Sequence, residues 1–448
     1  MINIELFYYQ NPWHRGKIPE FPYIQRDIMP DLVRWMDDKE SLVVIGPRQA
    51  GKSTVLKALI KFLLEKKKVS GKNIFYFNLD DLRFIDFLST PEDFIKFIQS
   101  FSPTKPYIFI DEIQRLKNPG LFLKCIYDLG LNFKLIVSGS SSLELKSKIF
   151  ESLTGRKIVF RLLPFSFGEF LKTKPFFSEF KKPKSWDDLV LKNKIYSGTL
   201  NKYLEEFIIY GGYPRVVLEK DLIKKRELLW EIYSSYVEKD IINFLKIELP
   251  DKFNNLVKAL SSQIGNLTNI HELTNTLRIN RSTVEKYISI LKATFIISLL
   301  KPFYKNIRSE ISKMPKVYFS DTGLRNCVID SFGEVDIRPD KGALLENFIY
   351  TQIKTIKSLR SVRFWRTKTG GEIDFVTEFG RDIIGFEVKF TSSAKPSLSP
   401  SLRHFVKEYK PRKIIIFTKN YLSEERDFIF LPAYWVFVLD EILDGIVF

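Results

Sequence analysis

The stretch of sequence that decides the fold is residues 42–64, LVVIGPRQAGKSTVLKALIKFLL. An apolar run leads into a loop of the pattern GxxxxGK[ST], and an amphipathic helix follows, which is the setting in which this loop cradles phosphates. Its glycines let backbone N–H groups curl around a phosphate at the start of a helix, where Lys52 reaches the outer phosphates and Ser53 ligates Mg²⁺. A chance glycine-rich turn is the alternative. The predicted nucleotide-binding residues are Gly46, Pro47, Arg48, Gln49, Ala50, Gly51, Lys52, Ser53 and Thr54.

A pair of carboxylates ends a second apolar run, YIFIDE at residues 107–112. We expect Asp111 to lie in the Mg²⁺ shell and Glu112 to polarise the attacking water, with Lys52 and Glu112 as catalytic residues. A solvated pair of charges at a strand end is the alternative. Ser138 ends the next apolar run, and we predict its hydroxyl beside the γ-phosphate, with an ordinary turn as an equal alternative.

The first 170 residues alternate short apolar runs with amphipathic stretches, which favours an α/β domain with a parallel sheet covered on both faces. The runs are Leu42 to Ile45, Ile74 to Leu79, Tyr107 to Ile110, Leu135 to Val137 and Ile158 to Leu163. Residues 171–200 break this rhythm with Pro, Lys and polar residues, so we predict a connector or insertion there. A small helical lid fits residues 201–248.

The pattern after Asn269 indicates two short helices, a tight turn and a strand, which is typical of a winged helix. Residues 280–293 form the second predicted helix. Its inward positions are Val284, Ile288 and Leu291, and the positions facing DNA are Arg281, Thr283 and Lys286. A basic wing is predicted from Lys301, Lys305, Arg308 and Lys313. Winged helices also mediate protein contacts, so this alternative stays open.

Residues 372–390 have the pattern of a hairpin with a two-residue turn at Gly380 and Arg381. In that register Asp374 faces Glu387, and Glu372 faces Lys389. Like charges directly opposite each other destabilise a hairpin, so a divalent cation such as Mg²⁺ or Mn²⁺ is expected between the two acids. Lys389 projects from the same face towards a phosphate or a water. The alternative is an exposed charged face with Glu372 and Lys389 as a surface ion pair.

Composition sets the outer bounds. A chain of 448 residues predicts about three domains, and 70 Lys and Arg against 53 Asp and Glu give a net charge of +17. This charge favours an anionic partner such as nucleic acid, although an acidic membrane surface would also attract it. The two distant cysteines and the absence of a secretory pattern suggest a reducing cytoplasm. No apolar run reaches the roughly 18 residues of a membrane span, and three dispersed histidines argue against a zinc site.

The phosphate loop, FIDEIQ, SGSSS, the sequence LTGR at 153–156 and LPFSFGEF at 163–170 together resemble the prokaryotic, largely archaeal AAA+ ATPases. That group is similar to signal-transduction ATPases with numerous domains. The resemblance implies that Gly212 and Pro214 of the lid touch the nucleotide base. It also implies that Arg156, or the nearby Arg161, senses the γ-phosphate, with a surface salt bridge as the alternative for each.

The spacing of Asp374 and Glu387-x-Lys389, after a helix that contains Glu346, resembles the core of PD-(D/E)xK nucleases. The resemblance implies that Glu346, Asp374 and Glu387 surround a Mg²⁺ ion, and that Asp374, Glu387 and Lys389 serve phosphodiester hydrolysis. Ile373 stands at the proline position of that motif. FSDTGL at 319–324 resembles the turn that precedes such a domain in the same AAA+ family.

We therefore predict a P-loop AAA+ sheet domain over 1–170, an insertion and helical lid over 171–248, a winged helix over 249–335 and a PD-(D/E)xK nuclease-like α/β domain over 336–448. The predicted function is an ATP-hydrolysing switch coupled to DNA binding and Mg²⁺-dependent DNA cleavage. ATP and Mg²⁺ are the expected cofactors, DNA the expected partner and a homo-oligomer an open possibility. The alternatives are a nucleotide-gated DNA-binding regulator with an inactive nuclease-like domain, and a signalling ATPase with protein partners.

Overall fold

A computed structural model describes residues 4–88, 90–101, 104–128, 132–140, 155–242, 247–303, 314–367, 369–391 and 395–446. The chain divides into two compact units. The first comprises Met1–Pro164 with Ala293–Phe295, and the second comprises Phe165–Lys292 with Ile296–Phe448.

The first unit is built on a five-stranded sheet with the order β2-β3-β4-β1-β5. Its strands are β1 Ser41–Gly46, β2 Ile74–Asn78, β3 Tyr107–Asp111, β4 Lys134–Ser140 and β5 Lys157–Arg161. All neighbouring pairs are parallel. Each of the five predicted apolar runs is a strand, so the predicted α/β sheet is confirmed.

Two helices precede β1, and further helices lie between β1, β2, β3 and β4, as parallel pairing requires. They are α1 Ile4–Gln10, α2 Met29–Arg34, α3 Lys52–Glu65, α4 Arg83–Leu88, α5 Pro91–Phe101 and α6 Pro119–Asp128, with 3-10 turns at Pro12–Arg15, Gly71–Asn73 and Ile113–Arg115. Alternate residues of β1 enter two separate cores: Val43 and Ile45 pack into one, and Leu42 and Val44 into the other. Burial on both faces explains why the strand sequence is apolar throughout.

The second unit contains a mixed six-stranded sheet with the order β12-β13-β11-β10-β9-β8, and a separate pair β6-β7. The strands are β6 Ile297–Leu300, β7 Lys316–Phe319, β8 Arg360–Arg366, β9 Glu372–Phe379, β10 Asp382–Val388, β11 Lys413–Thr418, β12 Ser423–Glu424 and β13 Phe428–Pro432. Strands β8, β9 and β10 pair antiparallel, whereas β10, β11 and β13 pair parallel.

The helices of this unit are α7 Phe167–Leu171, α8 Trp186–Tyr210, α9 Pro214–Leu218, α10 Leu222–Tyr233, α11 Pro250–Ser262, α12 Ile270–Leu277, α13 Arg281–Ala293, α14 Thr322–Val328, α15 Lys341–Ile353, α16 Pro400–Tyr409 and α17 Leu439–Glu441. The last residue of α13 is grouped with the first unit. Shorter 3-10 turns lie at Pro175–Ser178, Val335–Ile337 and Ala433–Val438, and π-helical turns at Ser234–Ile241 and Ile442–Ile446.

Within residues 171–200, predicted as a connector or insertion, helix α8 begins at Trp186, earlier than the helical segment predicted from residue 201. The Ser185 side chain accepts a hydrogen bond from the Asp188 N–H and caps the helix, a signal that the sequence does carry. Before Leu200, however, Leu189 is the one buried residue of α8. A helix with so little buried surface in its first half shows no clear apolar period.

The elements predicted after Asn269 are present. Helices α12 and α13 flank a left-handed Arg278, and β6 pairs antiparallel with β7. Val284, Ile288 and Leu291 are buried, as predicted. Lys305, Arg308 and Lys313 of the predicted wing lie outside the described residues.

The predicted hairpin is also present, with β9 and β10 joined by Gly380, whose φ is 63°, and Arg381. The pairs Asp382 with Phe379 and Phe386 with Phe375 have the predicted register. Ile373, Phe375 and Phe386 are fully buried. Ile373 packs in a cluster with Leu402 and Phe405, whereas the Phe375 ring lies 5.8 Å from the rings of Tyr318 and Tyr350, on either side of a register shift in the pairing of β8 with β9. In the parts of the chain that the structure describes, no helix has both the length and the apolar character needed to cross a membrane.

Candidate nucleotide and carboxylate sites

The glycine-rich loop joins the carboxyl end of β1 to the first turn of α3, so the predicted nucleotide-binding residues lie together. Gln49 and Gly51 are left-handed, with φ of 58° and 95°. A Cβ at Gly46 would collide with the Leu162 carbonyl. Glycine is therefore required where the backbone passes closest to β5. Ser53 and Thr54 are half-buried in the first turn of α3.

Lys52 lies across this loop with its side chain only 3% exposed. Its ammonium donates hydrogen bonds to the Gly46 carbonyl at 3.2 Å and the Pro47 carbonyl at 3.0 Å, and lies 3.7 Å from Glu112 Oε1. Burial lowers the pKa of Lys52, although Glu112 and Asp111 oppose that shift. A buried ammonium held mainly by carbonyl dipoles is suited to exchange them for a phosphate.

Residues of the neighbouring strands β2 and β4 hold Asp111 and Glu112 in place by hydrogen bonds. Asp111 is fully buried and accepts hydrogen bonds from the hydroxyls of Tyr76, at 2.8 Å, and Ser138. The Glu112 N–H donates to Ser138 Oγ at 3.3 Å, and the Glu112 carboxylate accepts from the Gln114 amide. Ser138 thus contacts the Asp111 carboxylate and the Glu112 backbone.

Tyr76 and Gln114 belong to this site but were not predicted. A tyrosine inside an apolar strand carries no local signal that its hydroxyl meets an acid on the next strand. The donors present fit Mg²⁺ with a nucleotide: the Ser53 hydroxyl and the Asp111 carboxylate are hard oxygen ligands, and the loop is shaped by glycine.

Arg156 is not brought to the glycine-rich loop. It lies at the amino end of β5, where its carbonyl accepts a 3.0 Å bond from Ser41 N–H, whereas the loop follows the carboxyl end of β1. Arg156 forms an ion pair with Asp128 and lies 5.2 Å from the Tyr127 ring centre. The expected contact of Arg156 with the γ-phosphate is therefore not supported within this chain. Arg161 pairs with Ile45 at the loop edge.

Pro214 opens α9 in the second unit. The Gly212 N–H donates to the buried Asp321 carboxylate at 2.7 Å, which fixes the turn before Pro214. The role of Gly212 and Pro214 towards a nucleotide base remains a prediction.

The second constellation lies on the hairpin β9–β10. The Glu387 side chain is 6% exposed, and its Oε1 accepts from Lys389 Nζ at 2.6 Å. Its Oε2 is buried and has no hydrogen-bond partner among the described residues. Asp374 Oδ2 accepts from the Val388 N–H at 2.8 Å.

Both hairpin acids hold protons unusually well. Burial raises the pKa of Asp374, and the charges of Glu346 and Glu387 raise it further. Burial also raises the pKa of Glu387, although Lys389 opposes that shift. Two buried acids, one with an orphaned oxygen, fit the coordination of a hard cation.

Glu346, the third predicted ligand, is occupied by other groups. Its Oε1 accepts from Lys316 Nζ at 3.0 Å and from the Tyr318 hydroxyl at 2.6 Å. Over the described residues no group of three or more His, Cys, Asp or Glu side chains is placed to hold a metal ion. Asp374 and Glu387 therefore fit a metal, whereas Glu346 does not in this arrangement.

The expected pair of Glu372 with Lys389 is wrong. Glu372 is paired with Lys316 and, at 3.3 Å, with Arg366, whereas Lys389 is paired with Glu387. Lys316 was not predicted. The one local signal for it is a lysine that opens the apolar strand KVYF, immediately before FSDTGL.

Comparison with known proteins adds three family matches. Residues 38–171 match a family model described as an AAA domain. Residues 201–334 and 341–435 match two models described as domains of unknown function, DUF8612 and DUF4143.

Among similar proteins, an uncharacterized protein of Haemophilus influenzae is 26% identical over 413 residues, covering 90% of this chain and 95% of that protein. An uncharacterized protein of Methanocaldococcus jannaschii is 29% identical over 360 residues, covering 79% and 74%. Relatives thus occur in bacteria and archaea.

Two solved structures are also similar. The Aeropyrum pernix ORC1 protein in complex with DNA has a TM-score of 0.31 and 14% identity over 71% of this chain and 95% of its own. PCH-2 of C. elegans has a TM-score of 0.22 and 16% identity over 38% and 43%. The parallel sheet, the loop at its edge and the match over residues 38–171 together show that the first unit carries a P-loop AAA domain of the AAA+ ATPase type.

Proposed function

We propose that the first unit binds ATP with Mg²⁺ and hydrolyses it, and that this cycle switches a second unit directed at DNA. The observation that carries the proposal is the approach of Lys52 Nζ to Glu112 Oε1, 3.7 Å, at the mouth of the glycine-rich loop. A buried cation for phosphate and a carboxylate for water then lie side by side, as phosphoryl transfer to water requires.

Each side chain has a distinct part in the proposed reaction. Lys52 exchanges its two carbonyl contacts for the outer phosphates. Glu112, held by Gln114 and Ser138, orients the attacking water and polarises it. Ser53 and Asp111 would hold Mg²⁺, which would neutralise charge on the phosphates when bound.

Two substitutions test the assignment. Lys52→Ala should abolish tight ATP binding, because the ammonium that meets the phosphates is lost. Glu112→Gln should keep ATP binding and lower turnover by about 10²–10⁴-fold, the usual contribution of a general base. Lys57→Ala is the matched control, since Lys57 is exposed on the same helix. Equal loss of ATP binding in the Lys52 and Glu112 variants would contradict the role of Glu112.

A second candidate activity is metal-dependent cleavage of a phosphodiester in the second unit. It is supported by the buried pair Asp374 and Glu387, with the orphaned Glu387 Oε2, and by Lys389 beside them. Asp374 and Glu387 would hold the ion, and Lys389 would stabilise charge on the phosphate. The assay is supercoiled and linear DNA with and without ATP and Mg²⁺ or Mn²⁺. Nicking by the wild type but not by Asp374→Asn is the expected result.

DNA binding is proposed for α13, where Arg281 and Lys286 are 78% and 54% exposed. Each has an acidic neighbour, Glu285 for Arg281 and Glu248 for Lys286, which a phosphate would replace. Affinity for duplex DNA should fall steeply with salt, and Lys286→Ala should reduce the slope by about one. Lys258→Ala on the neighbouring helix is the control.

The remaining alternatives are separated by the same assays. DNA binding without nicking would favour a nucleotide-gated regulator with an inactive second site. ATP turnover with no salt-dependent DNA binding would favour a signalling ATPase that acts on proteins.

A further inference from the structure

Lys316, the first residue of β7, places a buried ammonium among the acids of the second site. Lys316 Nζ donates to Glu346 Oε1 at 3.0 Å, pairs with Glu372 and lies 3.9 Å from Asp374 Oδ1. Its side chain is 2% exposed. The cation therefore lies where the helix acid and the strand acid of the hairpin approach each other.

The strand that carries this lysine is fastened to helix α15. The Asn347 side-chain amide donates to the Phe319 carbonyl at 2.9 Å and accepts from the Phe319 N–H at 2.8 Å. Tyr318 stacks on Tyr350 with ring centres 4.4 Å apart and donates to Glu346. These contacts hold the backbone of β7 beside α15, so the Lys316 ammonium leaves the acids only by a change of its own side-chain conformation or by a shift of the whole strand.

The charges around the site are unevenly compensated. Glu346, Glu372 and Asp374 share Lys316, and Arg366 adds a second partner to Glu372. Glu387 has Lys389 on one oxygen and no partner among the described residues on the other. The Lys316 ammonium therefore neutralises the Glu346 side of the site. On the other side, the buried Glu387 Oε2 is the oxygen that a bound cation would satisfy.

We propose that Lys316 is the built-in counterion of this site and competes with divalent metal for Glu346 and Asp374. This rests on the proposed metal role of Asp374 and Glu387 and adds its regulation. A divalent ion bound to Glu346 and Asp374 would stand within a few ångströms of the ammonium, where two cations repel each other strongly in a buried site. Displacement of Lys316 would make the Glu346 carboxylate available to the metal in addition to Asp374 and Glu387.

Lys316 comes from a different part of the chain than the acids, so this competition can regulate metal binding. Lys316 lies in the region of residues 201–334, whereas the acids lie in the region of residues 341–435, and Lys316 and the acids all belong to the second unit. Any event that shifts β7 therefore changes the affinity for metal without altering a metal ligand.

The test is calorimetric titration of the full chain with Mn²⁺. Lys316→Met keeps the length of the side chain and removes the charge, so Mn²⁺ should bind at least about tenfold more tightly than in wild type, the scale on which groups around a metal site act. Lys413→Met is the matched control, because Lys413 opens strand β11 of the six-stranded sheet and pairs with Glu424 rather than with the acids of this site. Lys316→Met combined with Asp374→Asn should lose the gain.

The outcomes separate the two levels of the proposal. No Mn²⁺ binding by wild type or by Lys316→Met would remove the proposed metal site itself. Equal or weaker binding by Lys316→Met, with Asp374→Asn still abolishing it, would leave the metal site intact and overturn the competition. If Lys316→Met does not fold, Lys316→Gln, which retains hydrogen bonds to the acids without the charge, is titrated instead and judged by the same outcomes.

Discussion

The two candidate sites each contain a buried lysine, and the surroundings of the two lysines differ. Lys52 and Lys316 are 3% and 2% exposed, so burial itself is matched. Lys52 meets two backbone carbonyls and one carboxylate at 3.7 Å, and burial lowers its pKa. For Lys316 burial acts in the same direction, but Glu346, Asp374 and Glu372 together outweigh it and raise its pKa.

This contrast indicates what each site can accept. The first site leaves its ammonium short of negative charge, so an incoming phosphate is the natural partner. The second site has already neutralised its ammonium with carboxylates of the chain, so an anion gains little there and a cation must compete. A buried lysine in a cleft is therefore not by itself a sign of a phosphate site.

Reaction with an amine-acylating reagent should distinguish the two lysines most clearly. Lys52 has a lowered pKa and Lys316 a raised one, so at any pH near neutrality the neutral, reactive fraction of Lys52 is larger. We expect labelling of Lys52 to be faster by at least about tenfold, since one pKa unit changes that fraction tenfold. Mass spectrometry of a time course measures both, and ATP should protect Lys52 alone. Faster labelling of Lys316 would break the comparison.

A matched pair of tyrosines gives a smaller effect. Tyr76 donates to Asp111 at 2.8 Å and Tyr318 donates to Glu346 at 2.6 Å. Tyr76→Phe should lower ATP turnover by about tenfold, because Asp111 loses an orienting bond. Tyr318→Phe should leave ATP turnover unchanged and lower the free energy of unfolding by about 1 kcal/mol.

Tyr434→Phe is the control for that pair, since its hydroxyl donates to the Asn193 amide oxygen at 3.0 Å and touches neither site. A loss of ATP turnover in Tyr318→Phe equal to that in Tyr76→Phe would mean that the two tyrosines do not act through their own sites.

The smallest effect concerns the stability of the metal-free hairpin. The folded-state pKa of Asp374 is raised, so the folded chain binds its proton more tightly than the unfolded chain, and stability falls as pH rises above the ordinary pKa of an aspartate. In chelator at pH 7, Asp374→Asn should be no less stable than wild type, with a difference within about 1 kcal/mol. Its stability should also fall less between pH 4 and 7. Chemical denaturation at several pH values measures this, and a steeper pH dependence in the variant would contradict a raised folded-state pKa of Asp374.

Much of the first unit follows from local sequence. The glycine-rich loop needs φ values that favour glycine and a helix that begins at Lys52, and residues 46–52 encode both. The strands of its sheet are short apolar runs because both faces are buried. In the second unit the two-residue turn sets the register from Asp382 with Phe379 to Phe386 with Phe375. Beyond that point the pairing of β9 with β8 has a register shift, and Asp374 accepts a hydrogen bond from the Val388 N–H.

Helix α8 shows where local pattern fails. Its first half is largely exposed, so no buried face requires apolar residues at regular intervals there. The apolar period that identifies most helices is absent there.

The conformations of residues 42–64 and of the turn at Gly380 depend on residues close to them in sequence, so the sequence alone predicts them. Partners distant in sequence were decided by packing alone: Arg156 with Asp128, Tyr76 with Asp111, and Lys316 with Glu346. The physical reason is that a charged or hydroxyl side chain takes whichever partner the folded sheets bring within hydrogen-bond distance. One such choice, Lys316 among the carboxylates, changes what the second site can bind.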